Sequence, residues 1–211
     1  LYFIKIFIFV VLAYSLSWLI ALPLVLNYQF NANLKVFEYQ HFLVAFGPFL
    51  SAILTQLLFE GFTGLKNFLQ TIFNLFVNKW MYIFVIVVPL GLFFISIMLD
   101  YFINGQMIDF SQIGLTSEVQ STNLFLILSI WLFSYGLGEE GGWRGFLLPL
   151  LNQFNSTFKS SLIIAFVWIF WHLPFFFYNP NFINMGFIVF GWSLGVVFGS
   201  ILLSFIAVNS N

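Results

Sequence analysis

The sequence contains no cysteine and very little charge: six basic and seven acidic residues make up 6% of its 211 positions. Without cysteine there is no disulfide framework and no thiolate nucleophile, and nothing marks the redox state of the compartment. The shortage of charge excludes more. A soluble domain carries about 25% charged residues, and so few charges cannot cover the exterior of a chain that is 62% hydrophobic. Lipid, in contrast, solvates a Phe/Leu/Ile-rich surface directly, so the chain reads as an integral membrane protein. A formal net charge of −1 argues against a polyanion partner, setting nucleic acid aside, and against a polybasic lipid-binding face. The 33 phenylalanines are bulk packing and lipid-facing material, not a cofactor box.

What is there is a series of apolar windows near the length that crosses a bilayer as a helix. They fall at roughly 2–26, 42–59, 80–103, 122–150, 160–178 and 183–207. The expected fold class is therefore all-α, a polytopic transmembrane helix bundle of six spans. There is no internal repeat, low-complexity linker or second domain, so 1–211 reads as a single transmembrane domain. The first window has a longer run than a signal peptide core. Its Leu-Pro-Leu at 22–24 is not a small-residue cleavage site, so it is a retained span. The chain opens on Leu1 and stops just after an apolar run, so it is expected to be incomplete, at its C-terminus above all.

Cytoplasmic loops hold the excess of Lys and Arg. With alternating spans, Lys5, Lys66, Lys79, Arg144 and Lys159 share the side of the N-terminus and only Lys35 falls on the other. The N-terminus is expected in the cytoplasm of a bacterial cell, with the chain multi-pass in the plasma membrane. The 100–121 loop, with Asp100, Asp109 and Glu118 and no base, fits the outer side. Between spans two and three, Leu65, Phe68, Leu69, Ile72, Phe73 and Phe76 recur at helical spacing opposite Lys66, Asn67, Gln70 and Asn74. That pattern predicts an amphipathic helix, lying in the cytoplasmic interface or packed on the bundle as a connector.

The segment "GLGEEGGWRGFLLPLL", 136–151, sets Glu139, Glu140 and Arg144 inside an apolar span. A charge near the bilayer centre costs about 2.5–3.5 kcal/mol on the lenient insertion scale, so something must offset it. Glu140 and Arg144 stand four apart on one helical face, in the favourable order for an ion pair. Glu139, turned about 100° around the helix, then has no partner within the segment, and an unpaired carboxylate is the reactive one, a proton acceptor. Five glycines among residues 136–145 allow close approach of another backbone, a substrate or water. Pro149 marks a kink or an approaching end.

His172, in "VWIFWHLPFF", is the only histidine inside an expected span. Counted from the ends nearest the N-terminal side, the glutamates lie roughly 15 Å deep and His172 roughly 18 Å, so neighbouring helices bring carboxylate and imidazole to one level. That pairing polarises a water or holds a metal. Each feature also has a structural reading: His172 as a hydrogen-bonded packing residue, the Glu/Arg cluster as an ion network. His41 is expected to be interfacial and non-catalytic. Other intramembrane chemistries lack their residues: there is no HExxH, Ser129 and Ser134 lack the context of a serine dyad, and paired aspartates are absent from the spans.

On these motifs the chain resembles the CPBP family, which comprises CAAX-type intramembrane proteases together with bacteriocin-processing and immunity proteins, also called Abi. Its EExxxR motif is matched by Glu139-Glu140-Gly141-Gly142-Trp143-Arg144, and its FxxxH motif by Trp168 to His172, with Trp in the Phe position. "FGPFLSAIL" and "GFTGLKNF" resemble the family's upstream half. The resemblance implies an endopeptidase in which Glu139 activates water, His172 assists, and Glu140 and Arg144 support and orient the site. The family's third motif, HxxxN or a relative, is absent, since no histidine follows His172. It leaves open whether a divalent metal such as zinc takes part, and a zinc site would need ligands from that later helix. The implied partners are a peptide or membrane-protein substrate and the lipid bilayer. A low-charge, Phe/Ile/Asn-rich composition suggests an AT-rich bacterium, which favours a bacterial membrane or secreted peptide over a prenylated one. The rival expectation is a non-enzymatic bacteriocin-immunity or scaffold protein whose cluster is purely structural.

Overall fold

The computed structural model describes residues 1–74, 78–105, 119 and 123–210. Among the described residues there are helices and no strands, and six helices are long and apolar enough to cross a membrane: α1 (Tyr2–Phe30), α2 (Gln40–Ile72), α3 (Lys79–Asn104), α4 (Leu124–Leu151), α5 (Thr157–Phe177) and α6 (Ile188–Asn209). Each corresponds to one of the six windows. The expectations placed on Phe76, Asp109 and Glu118 lie outside the described residues. Asp100 sits in the last turn of α3, where Asn104 Nδ2 donates to it at 2.6 Å.

α1 buries Lys5, Phe9, Ala13, Ser17 and Ala21, every fourth residue, as one stripe on a helix must. Its small members admit α2, whose Gly47 leaves no room for a side chain against Ser17 and Ala13. Lys5, counted above as a loop charge, is buried and ion-paired with Glu60 of α2. Right after that pair, Gly61 takes φ 64° and ψ −159°, a conformation that essentially only glycine tolerates, and α2 changes direction there. The amphipathic segment is thus the second half of α2. Phe68 packs between Phe49 and Phe146, and Leu65, Leu69 and Ile72 lie against the core, so the apolar face is a connector packed on the bundle.

α3 has no buried residue and lies at the periphery, with Phe84 against Phe205 of α6. α4 contains two stretches of wider, π-helical turns, Leu132–Glu139 and Trp143–Leu147, which hold Glu139 and Arg144 and leave Glu140 between them. Such insertions are frequent at functional sites because they re-aim the side chains around them. α5 is capped by Ser156, whose Oγ accepts from Lys159 N at 3.4 Å. Its regular part ends at Trp171 and it tightens over Leu173–Phe177, because Pro174 cannot donate to the helical ladder. A four-residue helix, Pro180–Ile183, follows, so α6 starts at Ile188, later than its apolar window suggests. α5 and α6 are joined by Ser200 Oγ donating to Ser161 O at 2.8 Å.

The helices alternate in direction. Phe3 stacks on Phe154 and Asn78 N donates to Ser210 O, gathering the N-terminus, the start of α3, the 152–156 connection and the end of α6 at one end of the bundle. Gln29 Nε2 donates to Phe177 O at 2.7 Å, gathering the 31–39 and 178–187 connections at the other. Lys66, Lys79 and Lys159 belong to the first end and Lys35 to the second, the separation the charge pattern predicts.

Candidate active site

α4 meets α2 through its glycines. A Cβ on Gly138 would stand 2.7 Å from Ala45 O, and one on Gly142 would stand 2.7 Å from Pro48 O, so two backbones touch where a larger residue would force them apart. This contact holds the charged turn of α4 inside the bundle. Glu140 and Arg144 form the ion pair their spacing predicts, Oε1 to Nη1 at 2.9 Å. Glu139 is 4% exposed, and among the described residues no cation pairs with it. Its partner comes from α5: Trp168 Nε1 donates to Glu139 Oε2 at 2.5 Å. The Arg144 guanidinium lies 4.6 Å from the centre of the same indole.

His172 caps the regular part of α5. Its Nδ1 lies 2.7 Å from Trp168 O; a carbonyl only accepts, so Nδ1 carries a proton, and in the neutral form of the ring Nε2 is the acceptor. The ring is held edge-on by Trp171 and Trp192, with centroids at 4.8 and 5.1 Å. α5 is anchored in turn to α1 and α2. Trp171 Nε1 donates to Ser17 Oγ, which donates to Val44 O, each at 2.8 Å, and Tyr14 OH donates to Val167 O at 2.6 Å.

Of the four residues singled out in the sequence, Glu139, Glu140 and His172 line one cavity of about 400 Å³, together with Trp168, Tyr135 and His41. Arg144 stands behind Glu140 and borders a different cavity of about 420 Å³ with Thr71, Asn152 and Ser210. His41 is a difference from the sequence reading: it does not simply face the interface but lines the same cavity as Glu139, with Nδ1 2.8 Å from Tyr178 OH and its ring edge-on to Phe175. Nothing local in the sequence signals this, since the two histidines are 131 positions apart; only that both histidines of the chain can share a site was open to guess. In the sequence Trp168 shows only as the residue in the Phe position of a motif, with no local sign of its bond to Glu139.

The depth also differs. His172 follows fifteen residues after the start of α5, roughly 22 Å at the helical rise, deeper than counting from residue 160 suggests. With His41 at the start of α2 and Phe182 in the 178–187 connection also lining it, the cavity runs from the middle of the bundle toward the end that holds the 31–39 and 178–187 connections. Chemically it offers a buried carboxyl group, an imidazole and aromatic walls. Among the described residues no three His, Asp or Glu side chains converge to hold a metal, so these residues do not by themselves fit zinc.

Comparison with known proteins follows the same residues. Residues 121–208 match the family model described as Type II CAAX prenyl endopeptidase Rce1-like, a stretch that contains both motifs. "CAAX prenyl protease 2" of Methanococcus maripaludis is 30% identical over 119 residues, covering 56% of this chain and 42% of that protein. The match thus spans less than half the length of the curated relative.

Proposed function

We propose, from the premise that residues 121–208 are an Rce1-like segment, that the chain is part of a multi-pass membrane endopeptidase that hydrolyses a peptide bond within the bilayer. The observation that carries the reading is the cavity shared by Glu139 and His172, with Arg144 paired to the neighbouring Glu140 so that Glu139 is not neutralised by it. Glu139 acts as general base. It takes a proton from a water whose oxygen attacks the scissile carbonyl carbon, and returns that proton to the leaving amine nitrogen as the C–N bond breaks. His172, with Nε2 as its acceptor nitrogen, holds the water or relays the proton. Glu140 and Arg144 keep the charged turn of α4 in place. The aromatic walls, Trp168, Phe175 and Phe182, suit an apolar peptide segment.

The relative is named for prenylated CAAX substrates; for this chain the proposed substrate is a membrane-embedded or membrane-delivered peptide, the bilayer presenting it. The membrane is the plasma membrane, with the N-terminus in the cytoplasm. The test is cleavage in water enriched in oxygen-18. Protein in lipid nanodiscs is offered a farnesylated CAAX peptide and a panel of apolar membrane peptides, and products are read by mass spectrometry. One heavy oxygen in the new carboxylate, lost with Glu139→Gln and His172→Asn, is the expected result. Cleavage that persists in Glu139→Gln overturns the assignment.

A further inference from the structure

One side chain meets both the candidate base and its nearest cation. The edge of the Trp168 indole donates to Glu139 Oε2 at 2.5 Å, and the face of the same ring carries the Arg144 guanidinium at 4.6 Å from its centre. A carboxylate and a guanidinium this near each other in a poorly solvated bundle attract strongly, and a bidentate pair is their preferred arrangement. Arg144 has donors to spare for it, since Nε and Nη2 have no partner in the described protein. Yet Glu139 is not in that pair. The indole supplies an alternative to each charge separately: a charge-assisted hydrogen bond to the anion and a π face to the cation.

We propose that Trp168 is a positioning residue that keeps Glu139 unpaired, bonding the carboxylate at its ring edge while occupying Arg144 with its ring face. This rests on the reading of Glu139 as general base, but the contact itself is testable without turnover. Phenylalanine at 168 keeps the face and removes that side chain's N–H donor. The freed carboxylate then turns to the spare guanidinium donors and is lost as a base, without any change at the walls that hold the substrate.

The protein is labelled with nitrogen-15 at the indole nitrogens of its seven tryptophans, and the N–H resonance that disappears in Trp168→Phe is that of residue 168. In Glu139→Gln this resonance is expected to move upfield as the charge-assisted bond is lost, and in Gly91→Ala, on the peripheral α3, to stay. In turnover, Trp168→Phe is expected to lower kcat about ten- to a hundredfold with KM unchanged, the range set by one hydrogen bond to a charged group. A resonance unmoved by Glu139→Gln overturns the proposal and leaves the protease reading standing. So does a Trp168→Phe variant with full kcat. If that variant does not fold, its resonance is assigned from Trp168→His and the Glu139→Gln shift decides alone. Full activity in Glu139→Gln, with the resonance shifted, overturns the protease reading instead and leaves the contact in place.

Discussion

Replacing Gly142 by alanine adds one methyl group at the tightest backbone crossing in the site. The new Cβ would meet Pro48 of α2, with its carbonyl carbon at 2.5 Å and oxygen at 2.7 Å, where ordinary contact begins at 3.4 Å. These are backbone atoms, so no side chain can rotate away, and α4 must retreat by roughly 1 Å. Alanine repays about 1 kcal/mol through helix propensity. Overpacking that shifts side chains and backbone costs about 1–3 kcal/mol, so a net loss of up to about 2 kcal/mol is expected. The functional effect is larger, because Glu139 rides on the displaced turn and a misplacement of about 1 Å can cost a hundredfold in rate. Gly91 of α3 serves as control, having no atom within 4 Å of its Cβ position. Thermal unfolding and turnover are measured in nanodiscs for Gly142→Ala and Gly91→Ala. A Gly142→Ala protein as stable and as active as the parent would refute the close crossing and the positioning of Glu139 through it.

Arg144→Gln leaves Glu140 without its cation; at 26% side-chain exposure the loss is expected near the low end for a broken buried pair, about 3 kcal/mol, and Glu140→Gln combined with it should recover most of the stability in a double-mutant cycle. The Lys5–Glu60 pair is asymmetric, Lys5 buried and Glu60 half exposed. Glu60→Gln strands an ammonium and should cost about 1.5–3 kcal/mol, whereas Lys5→Met should be nearly neutral by thermal unfolding. Because the chain has no cysteine, single thiols report topology cleanly. Asn33→Cys should react with an impermeant maleimide on intact cells and Asn155→Cys only after lysis, and the reverse pattern would invert the proposed orientation.

The number and order of the spans were legible because twenty-residue apolar windows have few other uses, and the Glu140–Arg144 pair was legible because helical spacing alone sets it. The break at Gly61 was not, since a lone glycine does not reveal its backbone angles. Nor was the late start of α6, where the short Pro180–Ile183 helix and the left-handed Gly186, at φ 53°, precede Ile188. The site was half readable: Glu139 and His172 could be brought together by depth, a one-dimensional count. His41 and the Trp168 edge could not, because which faces of α2 and α5 turn inward depends on the Gly138 and Gly142 crossings and on Ser17, contacts that join distant segments.

The most direct measurement is on Glu139→Gln, comparing turnover and thermal midpoint of the same purified preparation in nanodiscs. A general base contributes about 10²–10⁴-fold, so turnover should fall by that much while the melting temperature and abundance stay close to the parent's. Undiminished turnover would contradict the role given to Glu139. Collapse of folding with no catalytic effect to measure would favour a structural ion network, as in a scaffold or immunity protein.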